Sequence, residues 1–265
     1  MAEDAFALIT GASSGIGECF ARALAARRHN LVLVARSEEK LKKLAAELEA
    51  KHGVRLEVIA ADLAQLGAAS RLAEELKARN CSVDLLINNA GFGARGEFWK
   101  LPLDRQCAMI GLNIDALVEL TYLLLPGMLR GRRGGIINVS STASFQALPY
   151  TSTYAATKAF VTSFSMGLAE ELKPYGMAVV TLCPGSTRTN FFVAGEYGVR
   201  DIPGGMQAPE AVVQAALAAL ERGGGLVVPR ILNKLSIVVQ RLVPRELVAK
   251  FAAKIFRPPN AGDSD

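Results

Sequence analysis

Residues 6–17 read FALITGASSGIG, an aliphatic run from Phe6 to Ile9 followed by Thr10 and by glycines at 11, 15 and 17. Placed between a strand and a helix, these glycines have separate uses. Gly11 lets the chain turn sharply, Gly15 leaves room for a phosphate beside the backbone, and Gly17 lets the helix lie close to the sheet. The helix N-terminus then offers unpaired N–H groups and the positive end of its dipole to a pyrophosphate. The spacing is GxxxGxG, not the GxGxxG of the common dinucleotide fingerprint. Taken alone it could be a glycine-rich turn without a ligand, but its strand–turn–helix setting favours the nucleotide.

Outward from this loop the chain repeats one pattern. The runs FALIT, LVLVA, RLEVIA, DLLIN, GIINVS and AVVTLC alternate with helical stretches. Continuous Val/Ile/Leu runs suit strands buried on both faces, and six strand–helix repeats predict a single parallel sheet with helices on both sides. Residues 225–228 would add a seventh strand. The expected architecture is α/β, a single-domain doubly wound Rossmann fold. Residues 1–225 form the dinucleotide-binding catalytic domain, 226–257 a basic amphipathic extension packed on it, and 258–265 a frayed tail. Ligands of such sheets bind beyond the carboxyl ends of the strands. The polar segments TGASSGIG, ARS, ADLA, NNAGFG, VSSTAS and CPGSTRT all fall there.

Composition narrows the function. A hydrophobic content of 51% over 265 residues is ample for a core. No basic leader precedes FALIT, and no run of about 18 residues lacks a charge or polar break, so no spanning helix is expected. Cys19, Cys81, Cys107 and Cys183 are far apart and read as small hydrophobes in a reducing, cytoplasmic setting. With two histidines and no clustered cysteines, no metal site is expected. The net charge is +5. Between Leu226 and Arg257, seven basic residues stand against Glu246 alone, giving +6 and leaving −1 for the rest. The basicity is therefore local, and a nucleic-acid partner is not expected.

The second strand bears on which dinucleotide is held. Its end, LVLVARS, has Ala35 where a ribose-binding acid would stand and Arg36 beside it. An arginine there pairs with a 2′-phosphate, which favours NADP(H), although an exposed strand-end arginine looks the same. Asp62, with Leu63 beside it, suits an adenine amino group or a helix cap.

With TGASSGIG, NNAG (Asn88 to Gly91), YAATK (Tyr154 to Lys158) and PG (Pro184, Gly185) in this order, the chain resembles the short-chain dehydrogenase/reductase family from Phe6 to Thr189. The resemblance implies Tyr154 as acid/base, Lys158 as its partner and holder of the nicotinamide ribose, and Ser141 as donor to the substrate carbonyl. Ser141 is preferred to Ser140 because it lies thirteen positions before Tyr154. It implies Asn113 as the fourth member, keeping a helix carbonyl free for a proton-relaying water. Cofactor contacts are implied at Gly11, Ser13, Ser14, Gly15, Ile16, Gly17, Arg36, Asp62, Leu63, Asn89, Ala90, Gly91, Pro184, Gly185, Thr187 and Thr189. Thr187 stands where the family often has an aliphatic residue. A homodimer or homotetramer is implied, with contacts through helices near 103–129 and 152–173.

The chemistry is consistent with this. Hydride addition to a carbonyl creates an alkoxide that needs a proton. A lysine ammonium about 4 Å from a phenol favours the phenolate by ~4 kcal/mol at an effective dielectric of ~20. That would lower the phenol pKa by roughly three, less the opposing effect of burial. The spacing of Tyr154 and Lys158 puts both on one helical face.

For the substrate, Phe92, Phe98, Trp99, Phe145, Leu148, Tyr150, Phe191, Phe192 and Tyr197 are candidate wall residues, with the glycine-rich stretch after Thr189 as a lid. They suit an apolar ketone or a 3-oxoacyl chain. The expected function is an NADPH-dependent reductase of the ketoacyl-reductase type. The alternatives are oxidation of a secondary alcohol or steroid, an NADP-sensing regulator, and a membrane-associated binding protein. In the extension, Ile231, Leu232, Leu235, Val238, Val239 and Leu242 form one stripe, and Leu247, Phe251 and Ile255 begin another. Such helices could touch a membrane peripherally through residues 230–257. Packing on the domain body or on another subunit is the preferred expectation.

Overall fold

In the computed structural model, the described residues are 5–131, 134–189, 191 and 205–258. Strand β1 (Ala5–Thr10) leads into helix α1 (Gly15–Ala26), and β2 (Asn30–Ala35) into α2 (Glu38–His52). Then come β3 (Leu56–Ala60), α3 (Ala68–Ala78), β4 (Ser82–Asn88) and α4 (Leu103–Ile110). A π-helical turn over Gly111–Asp115 joins α4 to α5 (Ala116–Gly131). They are followed by β5 (Gly135–Val139), α6 (Ser152–Leu172), β6 (Ala178–Leu182), α7 (Pro209–Glu221) and β7 (Gly224–Val227). Two helices, α8 (Ile231–Arg241) and α9 (Arg245–Phe256), complete the described chain.

The seven strands form one all-parallel sheet in the order β3-β2-β1-β4-β5-β6-β7. The order reverses between β1 and β4, which opens a crevice at the carboxyl ends of those two strands. The aliphatic runs are continuous because both sheet faces are covered, and every residue of β5 is buried. One core layer joins the sheet to α1, α2 and α7 through Phe20, Leu24, Leu41, Leu48 and Leu217. The opposite layer joins it to α3, α5 and α6 through Leu72, Leu76, Leu120, Met128 and Leu168. At the far edge Gly224 has φ +96, and a Cβ there would stand 2.4 Å from the Val179 carbonyl oxygen. That close approach is what lets β7 pair.

The expectation of no span-length helix needs one correction. α4, the π-turn and α5 run together from Leu103 to Gly131, long and apolar enough to cross a membrane by length and composition. Here this rod lies on the sheet, with Leu117, Leu120, Thr121 and Met128 buried.

Candidate active site

The glycine loop and the end of β4 are tied together. Asn89 donates from Nδ2 to the Thr10 carbonyl (2.8 Å), and the backbone N–H groups of Asn89 and Ala90 donate to the Thr10 hydroxyl (3.0 and 2.9 Å). Gly17 lies so close under the loop that a Cβ would be 2.3 Å from the Gly11 carbonyl. Gly15, at φ +59, where L side chains are strained, sits against the Thr189 side chain, 3.1 Å from where a Cβ would stand. The loop is a cradle closed to side chains and open to a ligand.

From this cradle a cavity of about 560 Å³ runs along the carboxyl edge of the sheet. One end holds Arg36 and Asp62. The middle is lined by Gly11, Ser13, Ser14, Gly15, Ile16, Leu63 and the Asn89–Gly91 turn. The other end holds Ser141, Tyr154, Lys158, Pro184, Gly185, Thr187 and Thr189. The residues fit an extended dinucleotide: a cation at one end, a glycine cradle with a helix N-terminus in the middle, and an acid/base pair at the other end.

At the reacting end, Lys158 is 5% exposed and donates from Nζ to the Val139 carbonyl (2.8 Å). Its Nζ is 5.9 Å from the centre of the Tyr154 ring. Burial lowers the lysine from 10.5 to about 8, so it still carries its proton at neutral pH. Tyr154 packs on Phe191, with ring centres 5.4 Å apart. Both neighbouring serines border the cavity but are bonded differently: Ser140 is buried and its hydroxyl donates to the Lys158 carbonyl (2.8 Å), whereas the Ser141 hydroxyl accepts from Ala143 N (3.1 Å).

Asn113 does not line the cavity. It sits in the π-turn, accepting from Phe92 N (3.1 Å) and donating to the Phe92 carbonyl (3.0 Å) and the Thr157 hydroxyl (3.0 Å). It pins the Gly91–Phe92 turn to α6. Asp62 lies on the cavity and accepts from Ala64 N (3.2 Å) within a turn; it does not cap a helix, since the next one begins at Ala68 with Gly67 as its N-cap. Thr187 spends its hydroxyl on the Gly185 carbonyl (2.9 Å).

Three of the expected substrate-wall residues meet at this end: Phe92, Leu148 and Phe191. Phe145 does not. It ends a 3₁₀ turn over Thr142–Phe145 and packs with Cys183, Val228 and Ile237, away from the cavity. Tyr150, at φ +64, is turned towards a small recess beside Ala94 and Phe98. Phe98 and Trp99 are exposed. Phe192 and Tyr197 lie outside the described residues, as does most of the expected lid.

Sequence reasoning missed several residues. Lys40, in the first turn of α2 and four residues after Arg36, shares the cationic end. Phe256 lines the cavity and Asn233 lies against Gly185, where a Cβ would be 2.3 Å from its amide nitrogen. Both come from the C-terminal helices, with no motif to flag them. Asn88, Asn138 and Ser165 form a buried chain of side-chain bonds (2.9 Å each from Asn138) under the site.

The short chain dehydrogenase family model matches residues 5–196. The chain belongs to the short-chain dehydrogenase family. These are oxidoreductases of alcohol and carbonyl groups. A very-long-chain 3-oxoacyl-CoA reductase of Phaeosphaeria nodorum is 34% identical over 83% of this dehydrogenase. The match spans 64% of that relative's length. A short-chain dehydrogenase from Sphingobium yanoikuyae, solved in complex with NADPH, superposes with a TM-score of 0.81 at 32% identity, covering 98% of this chain and 99% of its own. The bulky-bulky ketone specific alcohol dehydrogenase from Comamonas testosteroni superposes at 0.76 with 31% identity, covering 98% and 97%.

Proposed function

We propose that the protein is an NADPH-dependent reductase of an apolar ketone or 3-oxoacyl substrate. The observation that carries the reading is one continuous cavity with Arg36 and Lys40 at one end and Tyr154, Lys158 and Ser141 at the other. NADPH, when bound, supplies the hydride. The chain's own residues do the rest. Arg36 and Lys40 hold the 2′-phosphate, and the α1 N-terminus holds the pyrophosphate. Ser141 donates to the substrate carbonyl and polarises it. Tyr154 gives its proton to the developing alkoxide, and the charged Lys158 stabilises the phenolate left behind. Asn113 acts by position, holding the Gly91–Phe92 turn against α6. Phe92, Leu148, Phe191 and Phe256 give the reacting end an apolar wall, which suits an acyl chain or a bulky ketone better than a sugar.

The named relatives support the substrate class, one acting on 3-oxoacyl thioesters and another on bulky ketones. The NADPH complex of the Sphingobium protein supports the cofactor. Exposed apolar residues on the joined rod and on α6, among them Tyr122, Leu123, Phe160 and Met166, support self-association into a dimer or tetramer through those helices.

The test is NADPH consumption with 3-oxoacyl thioesters of rising chain length and with bulky aromatic ketones, beside NADPH and NADH titrations. Consumption that strengthens with chain length or ketone bulk, with tighter NADPH than NADH binding, is expected. Tight NADPH binding without turnover of either class would overturn the substrate reading and favour a nucleotide sensor.

A further inference from the structure

α8 and α9 are built the wrong way round for packed helices. Their narrow inner faces meet the domain. Ile237 packs with Cys183, Val228 and Phe145, and Ala252 and Phe256 pack in the cluster that holds Tyr154, Phe92 and Phe191. Arg95 fixes the end of α9, donating to the carbonyls of Phe256 and Arg257 (2.8 Å each). The outer faces carry the apolar stripes. Ile231, Leu235, Val238, Val239 and Leu242 follow the helical repeat along one side of α8, and Leu247, Phe251 and Ile255 along one side of α9. All are exposed, Ile231 at 78%, Leu242 at 82% and Phe251 at 65%. The helices pack on the body through their inner faces, and the apolar stripes lie on the other side.

Cations border both stripes. On a helical projection Lys234 and Arg241 fall roughly 80–105° to one side of the centre of the α8 stripe, and Lys254 and Lys250 roughly 20–60° to one side of Leu247. Long cationic side chains beside an apolar strip can lay their stems along it and raise their charges to its edge. The only acid among the seven cations between Arg230 and Arg257 is Glu246.

We propose that this outer face of α8 and α9 docks on an anionic phospholipid bilayer, with the apolar stripes at the acyl boundary and the bordering cations among the headgroups. Charge decides against a second copy as the occupant: two-fold pairing of the same face would set a +6 segment against another. Because the inner faces of these helices supply Phe256 to the cleft and set Asn233 against Gly185 on its wall, docking also sets the reacting end beside the lipid phase. That second consequence rests on the reductase reading; the docking does not.

The test is co-sedimentation of the full chain with phosphatidylcholine vesicles, with and without phosphatidylglycerol, at low and high salt. The wild type is expected to partition at least about tenfold more onto the anionic vesicles, and to lose that excess at high salt. The double variant Leu235→Glu/Phe251→Glu should lose the binding and keep its NADPH titration. Lys250→Glu/Lys254→Glu should lose only the anionic preference, and it serves if the first variant folds poorly. Equal partition of wild type and both variants would overturn the proposal. So would loss of self-association in the Glu variants of a protein that binds no vesicles, which would give the face to a second copy. Vesicle binding by a protein that oxidises no NADPH would leave the docking standing and remove the reductase.

Discussion

Lys158 and Leu242 stand in each other's expected places. The lysine is 5% exposed beneath the carboxyl edge of the sheet, while the leucine is 82% exposed beyond the end of α8. Burying a charged lysine depressed from 10.5 to about 8 costs about 3 kcal/mol at neutral pH. Leaving a leucine-sized side chain in water forgoes about 1.5–3 kcal/mol of burial. Both regions accept an unfavourable placement, and they differ in what answers it. Around Lys158 the domain supplies a carbonyl acceptor, a tyrosine and a cavity. Around the α8 and α9 stripes it supplies only a border of cations. The first is a proposed site furnished by the chain itself, and the second is a surface proposed to meet a partner from outside.

The largest expected effect lies in the first site. Tyr154→Phe keeps the ring packed against Phe191 and removes the hydroxyl with its proton, so turnover should fall about a thousandfold. NADPH affinity should stay within about twofold, because the phenyl ring is retained. Steady-state rates beside a nucleotide titration check this, and retained turnover would break the assignment of the proton donor.

Lys158→Met sharpens the comparison by separating function from stability. Turnover should drop, yet the nucleotide-free protein should become more stable by about 2 kcal/mol at pH 7. That is the burial cost recovered, less about 1 kcal/mol for the Val139 carbonyl left unpaired. The sign follows from the depressed pKa. Below about pH 8 the lysine is charged in both states, and the folded state bears the full penalty. Between about 8 and 10.5 the folded state sheds its proton first, so the wild type gains stability as pH rises. Urea unfolding at pH 7 and pH 10 should therefore show the variant's advantage shrinking. An advantage independent of pH would mean that the lysine's charge is not what burial penalises.

At the opposite end of the cavity the charges are exposed and the effect is smaller. Arg36→Ala/Lys40→Ala should weaken NADPH binding about 10–100-fold and change NADH binding less than about threefold. Equal losses for both nucleotides would mean that these cations hold a phosphate common to both.

Much of this was legible before any coordinates. Short continuous aliphatic runs bounded by turn residues suit strands covered on both sides, and β5, buried throughout, is one. Tyr154 and Lys158 share a face because four residues nearly complete a helical turn. Ser141 was preferred to Ser140 only through the interval that the family resemblance implies, and in the structure the Ser140 hydroxyl donates to the Lys158 carbonyl. What periodicity cannot supply is direction. The residues of the α8 stripe were visible, but the side they face is set by how the chain leaves β7 and by where Ile237 finds its pocket. Phe145 and Phe92 read alike in sequence, and only the turn at Thr142–Phe145 sends one of them under α8. Asn233 and Arg95 act through contacts across long stretches of chain, and local pattern says nothing about those.

The smallest expected effect is the one that best tests the outward stripe. Leu235→Ser removes an apolar side chain from water and creates no cavity, so unfolding free energy should move by no more than about 0.5 kcal/mol. Emptying Leu33, fully buried in β2, would by contrast cost about 2–5 kcal/mol. Urea unfolding at two protein concentrations is the measurement, because a stripe covered by a second copy would show a concentration-dependent loss. A loss of 2 kcal/mol or more at both concentrations would mean that Leu235 packs on its own domain, and the bilayer would then have no face to meet. A negligible change leaves the stripe in solvent, where an apolar side chain contributes nothing to the fold and is free to bind elsewhere.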